Sequence, residues 1–209
     1  GTLSRPWRDI QDGIDNSTDC VVVFAGNYRE TIDFNGRDLQ VIGVDGAADT
    51  VIDAGGVSKP VVTFDSGESS SALLQGFTLT GGAGNVEETS ESAACGSSET
   101  CTDYYSTYCG GGVYAKNSDP TLKDLIIDDN VLPVASSSSS GNDNYYTVSF
   151  GGGACFTSSA ATLTGVDFTS NFADQGGGAW IDDSSVIEIR QGFATANTAT
   201  DGGAFLVDG

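Results

Sequence analysis

The sequence predicts an all-β chain, a parallel β-helix or solenoid of stacked short strands closed at its N-terminal end by a short helix. Three observations carry this expectation: a repeat of 25 residues, period-two alternation of apolar residues inside each repeat, and runs of glycine where a helical return would otherwise lie. Ala154, Ala179 and Ala204 stand at equal spacings of 25, each preceded by two or three glycines and followed by alternating apolar residues. An earlier copy, Gly110-Gly111-Gly112-Val113-Tyr114-Ala115, precedes Ala154 by one period plus 16 residues, and the surplus falls in the polar stretch around Ser136 to Ser140.

A second element recurs in each unit: Leu74-x-x-Phe77-x-Leu79, Leu122-x-x-Leu125-x-Ile127 and Leu163-x-x-Val166-x-Phe168, followed three residues later by Gly82, Asn130 and Asn171. Phe193 lies 14 residues after Ala179, as Phe168 does after Ala154, and the asparagine of that unit slips by one to Asn197. The segment Leu122 to Leu132 also fits a leucine-rich repeat, whose period can be similar. The other half of the unit decides between them. Three consecutive glycines each cost about 1 kcal/mol in a helix relative to alanine, so a second strand is the expected return path.

The elements then follow in order. Residues 4–15 read as the capping helix, with Ser4 as N-cap, Pro6 in the first turn and Trp7, Ile10 and Ile14 on one face. Such a helix would cover the apolar interior and the unpaired backbone of the first rung. Residues 21–82 form the first rungs, with turns at Asn35-Gly36, Asp45-Gly46 and Gly55-Gly56. Residues 83–109 are an insert loop, and 110–209 are Gly-Gly-Ala rungs with a second insert near 133–150. The chain reaches Gly209 just after the first strand of a new unit, so further repeats or another subunit are expected to follow.

Alternation assigns faces. Val113/Ala115, Ala154/Phe156, Ala179/Ile181 and Ala204/Leu206 are expected inward, which puts Tyr114, Cys155, Trp180 and Phe205 outward. Tyr114, Trp180 and Phe205 form a candidate aromatic ladder that would stack on sugar rings or a partner, unless an insert covers it. Asn130, Asn171 and Asn197 fall at one corner, where stacked amides would satisfy one another and the turn backbone. Cys95, Cys101 and Cys109 lie in a polar stretch, and an outward Cys155 could bond a cysteine of the 83–109 insert. These four are the disulfide candidates, with connectivity left open; Cys20 is the odd one, expected buried near the cap.

The first rungs, Ile10 to Ile14, Val21 to Glu30, Leu39 to Gly43, Thr50 to Gly56 and Leu74 to Gly82, resemble bacterial right-handed parallel β-helix proteins of the pectate-lyase-like superfamily. The units Phe168-x-x-Asn171 and Gly177-Gly178-Ala179-Trp180 are similar to the chlamydial polymorphic outer-membrane-protein repeat. The resemblance implies a right-handed parallel β-helix. It leaves function open, since the superfamily spans lyases, glycosidases, adhesins and autotransporter stalks.

Charge narrows the function classes. With 29 Asp and Glu against 8 Lys and Arg, the net charge is −21, which repels nucleic acid and anionic bilayers, and no apolar run suits direct membrane insertion. A polysaccharide lyase needs a base and a cationic group or Ca²⁺ beside its uronate substrate, yet the cations are scattered. A glycosidase needs paired carboxylates, and Asp128-Asp129 and Asp182-Asp183 are adjacent residues that would point to opposite faces of a strand. No catalytic residue is assigned. Calcium is the candidate cofactor, with oxygen ligands from Asp45-Gly46-x-x-Asp49 or Asn142-Asp143-Asn144. Outward threonine pairs, Thr78/Thr80 and Thr162/Thr164, are too irregular for an ice-binding face. The expected role is an extracellular or cell-surface structural and adhesive module whose partners are other copies of itself or cell-surface and glycan surfaces. A carbohydrate-active enzyme or a carbohydrate-binding module on the same fold is the alternative.

Overall fold

The computed structural model describes residues 2, 4–95 and 100–208; residues 96–99 of the first insert and Gly209 lie outside the described residues. Among the described residues the chain is almost wholly β, with one helix, Ile10–Asn16, and three sheets. Two of the sheets are built from parallel pairs and receive their strands from successive passes of the chain in sequence order. The first pass contributes Cys20–Val23, Gly26–Tyr28 and Ile32–Asp33, and the second Gln40–Gly43, Thr50–Asp53 and Val62–Phe64. In the fourth and fifth passes the first two strands fuse into one, Thr121–Asp128 and Thr162–Thr169, which joins the two legs into a ten-stranded sheet. The last strand of each pass belongs to a separate six-stranded sheet, which includes Val113–Lys116, Ala154–Thr157, Ala179–Ile181 and Phe205–Val207.

The fused strands explain the Leu-x-x-Leu-x-Ile pattern. In a flat strand Leu122 and Leu125 would point to opposite faces, because side chains alternate. Asp124 between them has a φ of +50°, and the stacked positions Gly76 and Gly165 have φ of +81° and +66°. The resulting bend turns both apolar residues inward, and Leu122, Leu125 and Ile127 are all buried.

The core is a set of columns running from pass to pass. Val21, Val41, Leu74, Leu122 and Leu163 pair in register and are buried. So do Ile32, Val62, Val113, Ala154 and Ala179 in the six-stranded sheet. Phe34 and Phe64 pack at a tilt beside them, with ring centroids 4.3 Å apart.

Glycine runs bring the passes together. Gly151 turns the chain with a φ of +63°. A Cβ on Gly152 would lie 2.6 Å from the carbonyl oxygen of Gly177, and one on Gly153 would lie 2.4 Å from that of Gly178. The second and third glycines of each run are therefore required by backbone contact between passes, beyond any conformational need.

The helix differs from expectation. It begins at Ile10, six residues after Ser4, and Asp9 at the N-cap makes no side-chain cap bond. The free amides of Ile10 and Gln11 donate instead to the two carboxylate oxygens of Glu30, at 2.8 and 3.0 Å. Because a distant carboxylate satisfies them, no local cap is needed and Trp7 stays outside the helix, 44% exposed. Ile10 and Ile14 seal the interior. Gln11 completes the end: its side-chain amide accepts from the Asp33 amide at 2.7 Å and donates to the Asp33 carbonyl at 3.0 Å, standing in for a neighbouring strand.

The last pass also departs from the even period. Ala194, not Phe193, pairs with Phe168, and Phe205, not Ala204, pairs with Ala179. One extra residue is taken up in the turn after Ile181, where Asp182 accepts bonds from Ser184 and Ser185. Phe193 is consequently turned outward, 70% exposed, Ala204 is exposed, and Leu206 takes the outward register of Trp180. The Phe205 ring points inward and meets Phe168 edge-on at 5.4 Å, occupying space that the small Ala194 leaves.

Replacing Gln11 with Leu keeps the helix's volume but orphans both backbone groups of Asp33. It is expected to cost roughly 1–3 kcal/mol in urea unfolding and to raise amide exchange first at Ile32–Asp33.

Candidate functional site: a tethered sheet on the outer face

The two inserts are strands, where a loop was expected for residues 83–109. Asn85–Ala94 and Thr100–Cys109 form one hairpin, Ser136–Ser140 and Asp143–Phe150 another, and together they make a four-stranded sheet. Their inner strands pair in parallel, Asp103 with Asn144 through Cys109 with Phe150. The cause is geometric. Both inserts leave at the same point of consecutive passes, and both return strands must enter neighbouring parallel strands, Val113–Lys116 and Ala154–Thr157.

Four contacts fix this sheet to the outer face of the six-stranded one. Cys109 and Cys155 form a disulfide. The Tyr114 hydroxyl donates to Glu87 at 3.1 Å, and Lys116 also donates to Glu87. The Phe150 ring tilts against Trp180 with centroids 5.0 Å apart. Tyr114 and Cys155 are buried as a result and Trp180 is partly covered, its indole N–H without a partner among the described residues. Tyr114 and Trp180 therefore pack beneath the insert, and Phe205 is absent from that face because of the one-residue slip. A second disulfide, Cys95–Cys101, closes the first hairpin, while Cys20 is free and exposed, not buried near the cap, because it occupies an outward position of its strand.

The second insert is held from the other side by Asp174. Its carboxylate accepts from the Ala135 amide at 2.9 Å, the Ser149 amide at 3.0 Å and the Ser149 hydroxyl at 2.9 Å. Glu68 has a similar role at another corner, accepting from Gly36, Ser66 and Ser118 at 2.7, 3.1 and 2.7 Å. Both carboxylates are buried with every bond spent on backbone or serine, the arrangement of structural anchors.

The asparagines stack at the corner below the glycine runs. Asn130 donates its amide hydrogens to Leu79 O and to Asn171 Oδ1, at 3.1 and 3.0 Å. Asn171 repeats this toward Ile127 O and Asn197 Oδ1, at 2.8 and 3.0 Å, and Asn197 donates to Phe168 O at 2.8 Å. Asn130 and Asn171 are fully buried, leaving no side-chain capacity for a ligand.

The calcium candidates are differently engaged. Asp45 accepts from the Ala25 amide at 2.7 Å and Asp143 from the Thr102 amide at 3.1 Å. Asn144 turns its NH₂ toward Asp103, at 2.8 Å. Among the described residues no three acidic or thiol side chains converge to hold a metal. An acidic groove of about 430 Å³ lies between the helix, the early passes and Asn85, lined by Asp15, Asp33 and Asp65 with Lys59. Burial raises the Asp33 carboxyl, the Asn35 amide lowers it, and Asp65, Glu68 and Asp15 raise it further.

Residues that the sequence reading passed over dominate the insert sheet. Tyr104 stacks on Tyr145 with centroids 5.0 Å apart and planes 10° from parallel, and Tyr105 on Tyr146 at 5.2 Å and 17°. The adjacent pairs occupy opposite faces. Their signal in the sequence is the doublets Tyr104-Tyr105 and Tyr145-Tyr146, separated by 41 residues like Val113 and Ala154. No family model, curated protein or solved structure matched the chain.

Two outcomes follow. Cys155→Ala is expected to raise amide exchange by tenfold or more in Thr100–Cys109 and Asp143–Phe150 while Thr121–Asp128 stays protected, read by exchange mass spectrometry. The Lys116 hydrogen bond lowers the Glu87 carboxyl, burial opposes it, and the Lys116 charge and Tyr114 hydroxyl lower it further. A depressed carboxyl contributes stability above its unfolded value and loses it as pH falls through the folded value. The contact should therefore persist at neutral pH and break on acidification below the ordinary glutamate range, seen as a Tyr114 ring-proton shift that Glu87→Gln abolishes.

Proposed function

We propose that this chain is a right-handed parallel β-helix acting as an extracellular or cell-surface structural and adhesive module, with the insert sheet as its contact surface. The in-order parallel pairing of successive passes supports a solenoid rod, and the first-rung and Gly-Gly-Ala motifs support the pectate-lyase-like and polymorphic-repeat resemblance. Two disulfides fit an oxidising environment. No helix among the described residues is long and apolar enough to cross a membrane.

The observation that carries the adhesive reading is the investment in the insert sheet. Strands of up to ten residues extend from passes whose own strands are three to eight long, and a disulfide, an ion pair and a buried carboxylate hold their base. A projection needed only to cover Tyr114 and Trp180 could end near Glu87; this one continues to Cys95 and Cys101. Rigid display of side chains far from the core is the physical requirement of a recognition surface.

Beads coated with the protein are expected to adhere to immobilised cell-wall and cell-surface polymers. Adherence should be lost in a variant whose residues 88–106 are replaced by a short Gly-Ser link, with the parallel core verified by circular dichroism. Adherence unchanged by that replacement, adherence to no surface, or cleavage of a polysaccharide by the protein would overturn this reading.

A further inference from the structure

We infer that the Tyr104–Tyr145 face of the insert sheet binds a neutral glycan chain, with pyranose rings stacking on the outer faces of the two tyrosines. The inference rests on the adhesive reading above and supplies the ligand class and the residues.

The register defines the platform. Tyr104 and Tyr145 are opposite each other on the two central strands. Each has a serine on its far side, Ser90 across from Tyr104 and Ser138 across from Tyr145. Rings stacked 5.0 Å apart and nearly parallel cover each other's inner faces, while the outer face of each stands over a side chain with a single heavy atom beyond Cβ. Tyr104 and Tyr145 are 40% and 43% exposed, which leaves them open to a ligand; Tyr146 on the opposite face is exposed to 37%. Each trough thus has an aromatic wall and a hydroxyl floor, extended along the strands by Ser92, Thr102, Ser106 and Thr147 on the same face.

The chemistry of the troughs selects the ligand. A pyranose presents an apolar C–H face to an aromatic ring and hydroxyls at its edge, which serine and threonine can meet as donors and acceptors. A purely apolar partner would desolvate those hydroxyls, even where Ser92 and Thr102 bond each other at 3.1 Å. Charge removes the acidic polymers: residues 85–109 and 136–150 contain no Lys or Arg, while Glu88 and Asp143 lie on this same face and Glu87, Glu91 and Asp103 on the other. A uronate, sulfate or phosphate chain would be repelled, and a neutral chain would not.

The opposite face supplies an internal control. Tyr105 and Tyr146 stack in the same way, but Asp103 and Glu91 flank them and their face carries Glu87, Cys109 and Phe150, whose contacts join the sheet to the rod. Truncating Tyr146 removes an equivalent cross-strand stack without touching the proposed troughs.

The test titrates the full oxidised protein, labelled on its tyrosine ring carbons, with neutral β-glucan and chito-oligosaccharides, with glucosamine oligomers and with polygalacturonate. Neutral oligosaccharides are expected to shift the Tyr104 and Tyr145 ring signals, and polygalacturonate to leave them unmoved. Tyr104→Ala and Tyr145→Ala should each weaken binding by about tenfold or more, and Tyr146→Ala by less than about threefold, all three retaining both disulfides by mass. Equal losses in the three variants would mean that the stacks serve the hairpins alone, binding of polygalacturonate would contradict the charge argument, and binding of glucosamine oligomers in preference to neutral chains would mean that charge and not ring stacking selects the ligand; any of these results overturns the inference. If beads adhere to a surface but neutral oligosaccharides do not compete, this inference fails and the adhesive reading stands. If beads adhere to nothing while oligosaccharides bind the tyrosines in solution, the adhesive reading fails and the glycan site remains.

Discussion

The structure depends on one constraint: successive passes of backbone must approach closely enough at one corner for a buried amide to bridge them. Asn130 donates to Asn171 and Asn171 to Asn197, and each of the three donates to a carbonyl of the pass before. The glycines above them have no Cβ because carbonyls of the following pass occupy that space. Buried amides cost several kcal/mol if unpaired, so a stack in which each is paired tolerates little displacement of one pass against another. The register of the later passes, from Thr78–Thr80 onward, is held by it.

That constraint also creates the insert sheet. Consecutive passes held in register bring two unrelated inserts to the same place, with their return strands parallel and one strand spacing apart. Neither hairpin alone would have both edges supported, and isolated two-stranded hairpins are marginal in water. Joined, they form four strands with the disulfide at the base and serine-rich or acidic strands at the margins. The polar margins are a sound way to end a sheet, since an apolar free edge invites pairing with other chains.

The first and last passes show what the repeat does without a neighbour on both sides. At the helix end, Gln11 and Glu30 use side chains where another pass would have used backbone. In the last pass, one additional residue in the turn shifts Phe193 outward and Phe205 inward, and the interior volume is preserved because a ring enters from the facing sheet where alanine replaces one. Packing accepts the exchange because it is volume, not identity, that the interior must conserve.

The sequence by itself determined the strands, their parallel stacking and the columns of apolar residues, because glycine runs and two-residue periodicity are local consequences of backbone geometry. It also placed Asn130, Asn171 and Asn197 at one recurring position. It could not locate the helix start, since the groups that bind its free amides lie about 20 residues away in Glu30, nor place the extra residue after Ile181, which the shift of Asn197 signals but the even spacing of Ala154, Ala179 and Ala204 conceals. Only the tertiary structure decided that two polar inserts pair into one sheet, that Tyr114 and Trp180 lie beneath it, and that Tyr104 meets Tyr145. Those contacts join residues 27 or more positions apart, and their partners are chosen by the stacking of passes, not by any pattern within either segment.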